Sequence, residues 1–438
     1  MRMLDLIMKK RNGQSLTPEE INFIIKEYNE GTIPDYQIAA FLMAVYFQGL
    51  NTKETNALTA SLVKSGEALD FSSLGDTVVD KHSSGGVGDK VTLIFAPLIA
   101  AAGVPVAKIS GRGLDFTGGT IDKLESIPGF AANLSVEKFI NLVKENNLAI
   151  MVQSESLTPA EGKLYALRDA TGTVEDVSLI SASIMSKKIA AGASAILLDV
   201  KTGQGAFMQS KEEAFHLAET LVRIGKDMDR KTVSVVTDME QPLGYAVGNA
   251  LEVEEAVKVL KGEGPRDVEE LCLLLGGYML RLVNKVRNPE EGQRQLYKLL
   301  KNGAAFEKLK QMVSAQGGDA EYLEDTSLLP RAELIKSFNA PGEGYLSEIN
   351  AKRIGRAAVL LGAGRSYKCE GIDHSVGVIL THKVGDTIEK DEPLAYLYGN
   401  SEKSLEIAFK ELDNAFTISD EAVEPPPLLY GTVPPFPS

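Results

Sequence analysis

The stretch DTVVDKHSSGGVGDK, Asp76 to Lys90, joins a short β-branched run to a loop rich in glycine, hydroxyl and charge. Similar runs return along the chain: VPVAKISG (104–111), LAIMVQS (148–154), SAILLDVKTG (194–203) and TVSVVTDM (232–239). They are short and continuously apolar, and helical patterns separate them. That alternation indicates a mainly parallel or mixed sheet with helices on both faces, so the fold class is α/β. In such sheets ligands bind beyond the carboxyl ends of the strands, where KHSSGG, SGRGLD and KTGQG fall.

The first 65 residues read as three helices. LTPEEINFIIKEY offers Thr17 as N-cap, Pro18 at the first helical position and Glu20 to close a capping box. Ile21, Ile24, Ile25 and Tyr28 then share one face. The segment PDYQIAAFLMAVYFQGL is apolar nearly all round and needs a covering surface, in this chain or in a second subunit. A third helix begins at the Asn51 cap and ends near Gly66. A second helical stretch, 157–192, is interrupted at Gly172 and is too long for a simple crossover; it reads as a return into the first helical unit.

The expected organisation is therefore a small discontinuous all-helical domain (1–70 and 161–194), a large α/β domain (71–160 and 195–335) and a C-terminal α+β lobe (336–438). The lobe's β-rich part, VGVILTHKVGDTIEKDEPLAYLYG (376–399), alternates apolar and polar residues in a pattern similar to biotinyl and lipoyl domains. The proline-rich end EPPPLLYGTVPPFPS reads as an extended surface segment.

A net charge of -14 disfavours a nucleic-acid or anionic-membrane surface, so any anion must be captured locally. No stretch is long and apolar enough to span a bilayer, and the N-terminus lacks an uninterrupted signal-peptide core, so a cytoplasmic location is the expectation. The two cysteines, Cys272 and Cys369, have no ligand-like spacing.

Neither glycine-rich stretch fits a nucleotide motif. GGVGDKVT has the wrong spacing for a Walker loop, and the third glycine of GRGLDFTGG is displaced from a dinucleotide fingerprint. Their chemistry still suits an oxyanion. Lys81, Lys90, Lys108, Arg112 and Lys123 bring charge, Ser83, Ser84, Thr92, Ser110, Thr117 and Thr120 bring hydroxyls, and the glycines allow close approach. On the second helical stretch Ser183 and Lys187 lie four apart and Tyr165 and Arg168 three apart, each pair on one face. Those residues suit a carbonyl-rich or anionic ring. Lys188 reads as a surface lysine, and His82 is the one histidine beside the cluster.

SGRGLDFTGGTIDKLE (110–125) resembles the signature of the thymidine and pyrimidine-nucleoside phosphorylase family, and DKHSSGGVGDK resembles its phosphate loop. The likeness continues through YALRDATGTV, LISASIMSKKIA, LDVKTGQGAFM and VGVILTHKVGDTIEKDEPL; Ser84 stands where the family commonly has threonine. The resemblance implies a homodimer in which a cleft separates the helical and α/β domains. It implies phosphorolysis of pyrimidine nucleosides with inorganic phosphate as co-substrate and no organic cofactor. It puts phosphate on Lys81, His82, Ser83, Thr92, Lys108, Ile109, Ser110 and Thr120. It puts the pyrimidine on Leu114, Tyr165, Arg168, Ser183 and Lys187, with His82, Arg168 and Lys187 as the catalytic group. It implies a potassium site on carbonyls of Gly88, Lys90, Leu243 and Ala246 with the Glu255 carboxylate. Three alternatives stay open: a strict thymidine phosphorylase; a phosphoribosyltransferase, which would want an acidic pair for magnesium near the loop; and a carrier domain, for which the usual Met-Lys-Met is missing.

Overall fold

The computed structural model describes residues 1–434 except Asp76, Leu114, Glu155 and 366–370. Four helices, one more than expected, open the chain: α1 (Met3–Arg11), α2 (Pro18–Asn29), α3 (Asp35–Gln48) and α4 (Thr52–Lys64). The missed one, α1, buries Met3, Leu6 and Lys10, too sparse an apolar stripe to register as periodic. Thr17 and Glu20 form the capping box of α2 with Pro18 at its start, and Asn51 with Glu54 forms that of α4. Ile21, Ile24, Ile25 and Tyr28 are all buried.

The central region alternates as read: β1 (Val79–Ser83), α5 (Val91–Ala101), β2 (Val106–Ser110), α6 (Thr120–Leu124), α7 (Val136–Asn146), β3 (Leu148–Val152), α8 (Pro159–Thr171), α9 (Val177–Ala190), β4 (Ala195–Thr202), α10 (Lys211–Asp227) and β5 (Lys231–Asp238). β1 to β5 are parallel, in the order β3-β2-β1-β4-β5. Every residue of β4 is buried, and Ile196, Leu197, Leu198 and Val200 contribute about 1.5–3 kcal/mol each by leaving water. Leaving the sheet, α8 and α9 place Ala160, Leu164, Leu179 and Ala182 in one apolar cluster with the core of α1 to α4.

A short strand β6 (Ala246–Val247) leads into α11 (Asn249–Leu260), α12 (Arg266–Leu282), α13 (Pro289–Lys301), α14 (Ala304–Ala315) and α15 (Glu321–Glu324). The C-terminal β-rich lobe holds β7 (Leu334–Asn339), β8 (Gly344–Ile349), α16 (Ala351–Leu361), β9 (Gly377–Leu380), β10 (Thr387–Ile388), β11 (Pro393–Gly399), α17 (Glu402–Leu412) and β12 (Phe416–Ser419). Its strands form two small sheets, β10-β8-β12 and β6-β9-β11-β7, so β6 couples the lobe to the α/β region.

The tail is extended and partly exposed, as expected, but it also joins the main sheet. β13 (Leu429–Val433) pairs antiparallel with β5 and makes the main sheet six-stranded. Pro425, Pro426, Pro427 and Pro434 flank the strand, where the missing N–H costs nothing.

Candidate active site

The order of the sheet reverses between β1 and β4, and a reversal opens a crevice beyond the strand ends. Lys81, His82 and Ser83 end β1, Lys108, Ile109 and Ser110 end β2, and Asp199 and Lys201 lie on β4 opposite them, with Ser83 in register with Asp199. Thr92 lies in the first turn of α5 and Thr120 begins α6. The loops between are drawn tight: a Cβ on Gly119 would come 2.2 Å from the Gly113 nitrogen.

The lysines here are buried and matched to carboxylates. Lys81 lies 2.9 Å from Asp199 and 3.9 Å from Asp89, while Lys201 lies 2.9 Å from Asp199. Burial disfavours the Lys81 ammonium, yet Asp199 and Asp89 hold its pKa above the ordinary value. Ser83 donates to Asp89, and the Ser84 hydroxyl accepts from the Lys201 N–H at 2.8 Å. Asp89 and Asp199 are thus the acidic pair that sequence reading missed, and Lys81 and Lys201 neutralise them.

One layer over, Lys188 donates to Asp80 at 2.7 Å and to the Ile109 carbonyl at 2.8 Å. This corrects its reading as a surface lysine: it is 4 % exposed. Lys108 lies 3.7 Å from Asp80 and donates to the Ile109 carbonyl at 3.2 Å. Burial brings Lys108 down to about 7, with Asp80 pulling back and Lys188 and Lys81 pushing further. The same field acts on His82. Burial and then Lys188, Lys108, Lys81 and Lys187 hold its imidazole well below the ordinary histidine value, so it is neutral at neutral pH.

Arg112 and Lys123, two further cations of these loops, are engaged in holding α6. Arg112 bonds Asp122 at 3.1 Å and also Glu125, Arg365 grips Asp122 from the C-terminal lobe, and Lys123 joins Glu252 and the Asp89 carbonyl at 2.7 Å each.

The helical side has its own cluster. Lys187 lies 2.9 Å from Glu161, donates to Ser183 at 3.3 Å and sits 5.2 Å above the Tyr165 ring. Ser183 donates to Glu161. Arg168 spends three N–H groups on the carbonyls of Thr173, Leu179 and Val174, fixing the turn from α8 to α9. Leu114 lies outside the described residues.

The atoms named for potassium also converge, but around an ammonium. Lys90 donates to the carbonyls of Leu243 at 2.9 Å and Ala246 at 2.8 Å and to the Glu255 carboxylate. The Gly88 carbonyl accepts from the Lys90 N–H and the Lys90 carbonyl from the Leu93 N–H. Four of the five positions are thereby satisfied around the fifth residue's own charge, so they do not fit a potassium ion beside it.

Residues 4–66 match the family described as glycosyl transferase family, helical bundle domain; residues 75–306 match glycosyl transferase family, a/b domain; and residues 345–419 match pyrimidine nucleoside phosphorylase C-terminal domain. The chain is 52% identical over 433 residues to a pyrimidine-nucleoside phosphorylase of Geobacillus stearothermophilus, covering 99% of this chain and 100% of that one. It is 53% identical over 425 residues to one of Bacillus subtilis (strain 168), covering 97% and 98%. The chain belongs to the pyrimidine-nucleoside phosphorylase family. The fold extends further: anthranilate phosphoribosyltransferase from Thermus thermophilus superposes with a TM-score of 0.56 at 20% identity, over 71% of this chain and 98% of that one.

Within this member of the phosphorylase family, the lysines and aspartates at the strand ends form one bonded cluster, which Lys188 of α9 joins, and Glu161, Ser183 and Lys187 form another on the helical side. Glu161 escaped sequence reading although it had a signal, since it stands four residues before Tyr165 and seven before Arg168 on one helical face. Asp80 and Asp199 had none, because a carboxylate inside a β-strand reads as an interruption of an apolar run.

Proposed function

We infer that the protein catalyses reversible phosphorolysis of pyrimidine nucleosides such as uridine, thymidine and deoxyuridine, giving the free base and (deoxy)ribose 1-phosphate. The observation that carries the reading is the convergence of Lys81 and Ser83 at the end of β1, Lys108 and Ser110 at the end of β2, and Lys188 from α9, in a chain of this family. Phosphate is assigned to Lys81, His82, Ser83, Thr92, Lys108, Ile109, Ser110 and Thr120, and the pyrimidine to Tyr165, Arg168, Ser183 and Lys187.

In the reaction a phosphate oxygen forms a bond to the anomeric carbon as the carbon–nitrogen bond breaks, and the electron pair departs on the base. The base needs a cation near its ring oxygens, which Lys187 supplies, oriented by Glu161 and Ser183. Arg168 uses three of its five N–H groups on carbonyls of the α8–α9 turn, and the ring carbonyl is assigned to the other two. His82, held neutral, serves as a hydrogen-bond donor from its N–H rather than as an imidazolium acid. The two sets belong to different layers, so closure of the cleft joins them and expels water.

Phosphate is the second substrate, and no organic cofactor enters the scheme. The active form is a homodimer through the helical unit, a reading supported by the exposed Leu4 and Met8 of α1 and Tyr36, Met43 and Phe47 of α3.

The test is Lys187→Ala. It keeps the fold, because the ammonium is partly exposed, and it lowers kcat/KM for uridine by about 10²–10³-fold. Near-normal phosphorolysis by that variant contradicts the assignment.

A further inference from the structure

We propose that Lys90 is a built-in cation: its ammonium occupies the place of the monovalent ion that the resemblance implies, so the protein folds and works without potassium. The inference rests on the phosphorylase reading only for its kinetic consequences.

The site lies between the loop after β1 and the loop before α11. Lys90 enters from the first and is 1 % exposed. Its three partners are two carbonyls and a carboxylate, all hard oxygen donors of the kind that hold a bare cation. The backbone comes unusually close here. Gly88 has a φ of +71°, and a Cβ on it would lie 2.6 Å from the Leu243 carbonyl oxygen.

Charge excludes a second cation. Glu255 is neutralised by Lys90 and accepts from the Tyr245 N–H at 2.9 Å. The two acidic neighbours already have lysines, Glu252 with Lys123 at 2.7 Å and Asp267 with Lys383 at 3.0 Å. A potassium ion added to this arrangement would be a buried unpaired charge, which low-dielectric surroundings penalise. Burial lowers the affinity of Lys90 for its proton, but Glu255 and Glu252 reverse this, and its pKa stays above the ordinary lysine value.

The ammonium also does what a bound ion would do mechanically. It ties the loop after β1, which carries Asp89, to the segment 242–246, which Lys383 fastens from the other side through the carbonyls of Pro242 and Gly244. Lys90 is thus a positioning residue for the phosphate loop.

The experiment takes the full chain in tetramethylammonium chloride and titrates in potassium chloride at constant ionic strength, reading the thermal midpoint and kcat/KM for uridine phosphorolysis. Wild type is expected to change by less than about twofold in kcat/KM, with no shift of midpoint. Lys90→Ala vacates the position; it is expected to lose at least about tenfold without potassium and to regain both activity and midpoint with it. Lys90→Met fills the space without charge, and potassium restores neither. A wild type that gains activity or midpoint with potassium overturns the proposal, as does a folded Lys90→Ala that potassium leaves unrestored. If Lys90→Ala does not fold in either salt, the wild-type titration decides. A chain without phosphorolysis refutes the proposed function, while its thermal midpoint still decides the role of Lys90.

Discussion

Lys187 and Lys188 are neighbours on α9 with different surroundings. Lys187 points toward Glu161 and Tyr165 on the helical side, and Lys188 is buried against Asp80 beneath the strand ends. Lys188→Met leaves Asp80 with only Lys108, at 3.7 Å, and is expected to cost about 3 kcal/mol in chemical denaturation. It also removes a positive charge that lowers Lys108. For phosphate capture Lys108 must be protonated, so its contribution to kcat/KM for phosphate falls as pH rises through about 7. In Lys188→Met that limb moves to higher pH; phosphate's own ionisation is common to both proteins, so the displacement isolates the lysine. Coincident profiles would contradict this. The residue types of the site were legible in the sequence, because hydroxyls, lysines and glycines cluster at two successive strand ends. The direction of each ammonium was not, since a one-residue step along a helix turns a side chain by about 100°.

At the scale of elements, β13 covers the edge of β5, and Tyr430 donates to Asp238 at 2.7 Å beside it. Truncation after Glu421 uncovers the edge from Ser234 to Thr237. The thermal midpoint is expected to fall by several degrees and light scattering to rise on heating, because an open edge invites pairing with other chains. An unchanged midpoint would show that β13 is dispensable. The five parallel strands were readable as apolar β-branched runs. The tail was readable as extended but not as part of the sheet, because it pairs with a strand nearly two hundred residues earlier, a long-range contact that local pattern does not encode.

At the scale of the molecule, five parallel strands with a reversal of order carry the loops proposed for phosphate, and α8 and α9 carry the residues proposed for the base on the helical unit. The apolar face of α1 and α3 accounts for a helix apolar nearly all round: Ile38, Phe41, Leu42 and Val45 face the core, while Tyr36 and Phe47 remain 74% exposed. Phe47→Asp is expected to convert a dimer to monomer by light scattering after size exclusion; a wild type that runs as a monomer would contradict the assembly. Phosphorolysis is proposed at the β1 and β2 strand ends. Its most direct test is the initial rate of base release from uridine and from thymidine, with and without inorganic phosphate and without magnesium. The expected result is release only with phosphate, one pentose 1-phosphate per base, from both nucleosides; thymidine alone would narrow the enzyme to a thymidine phosphorylase. Base release indifferent to phosphate, or none from either nucleoside, would contradict it.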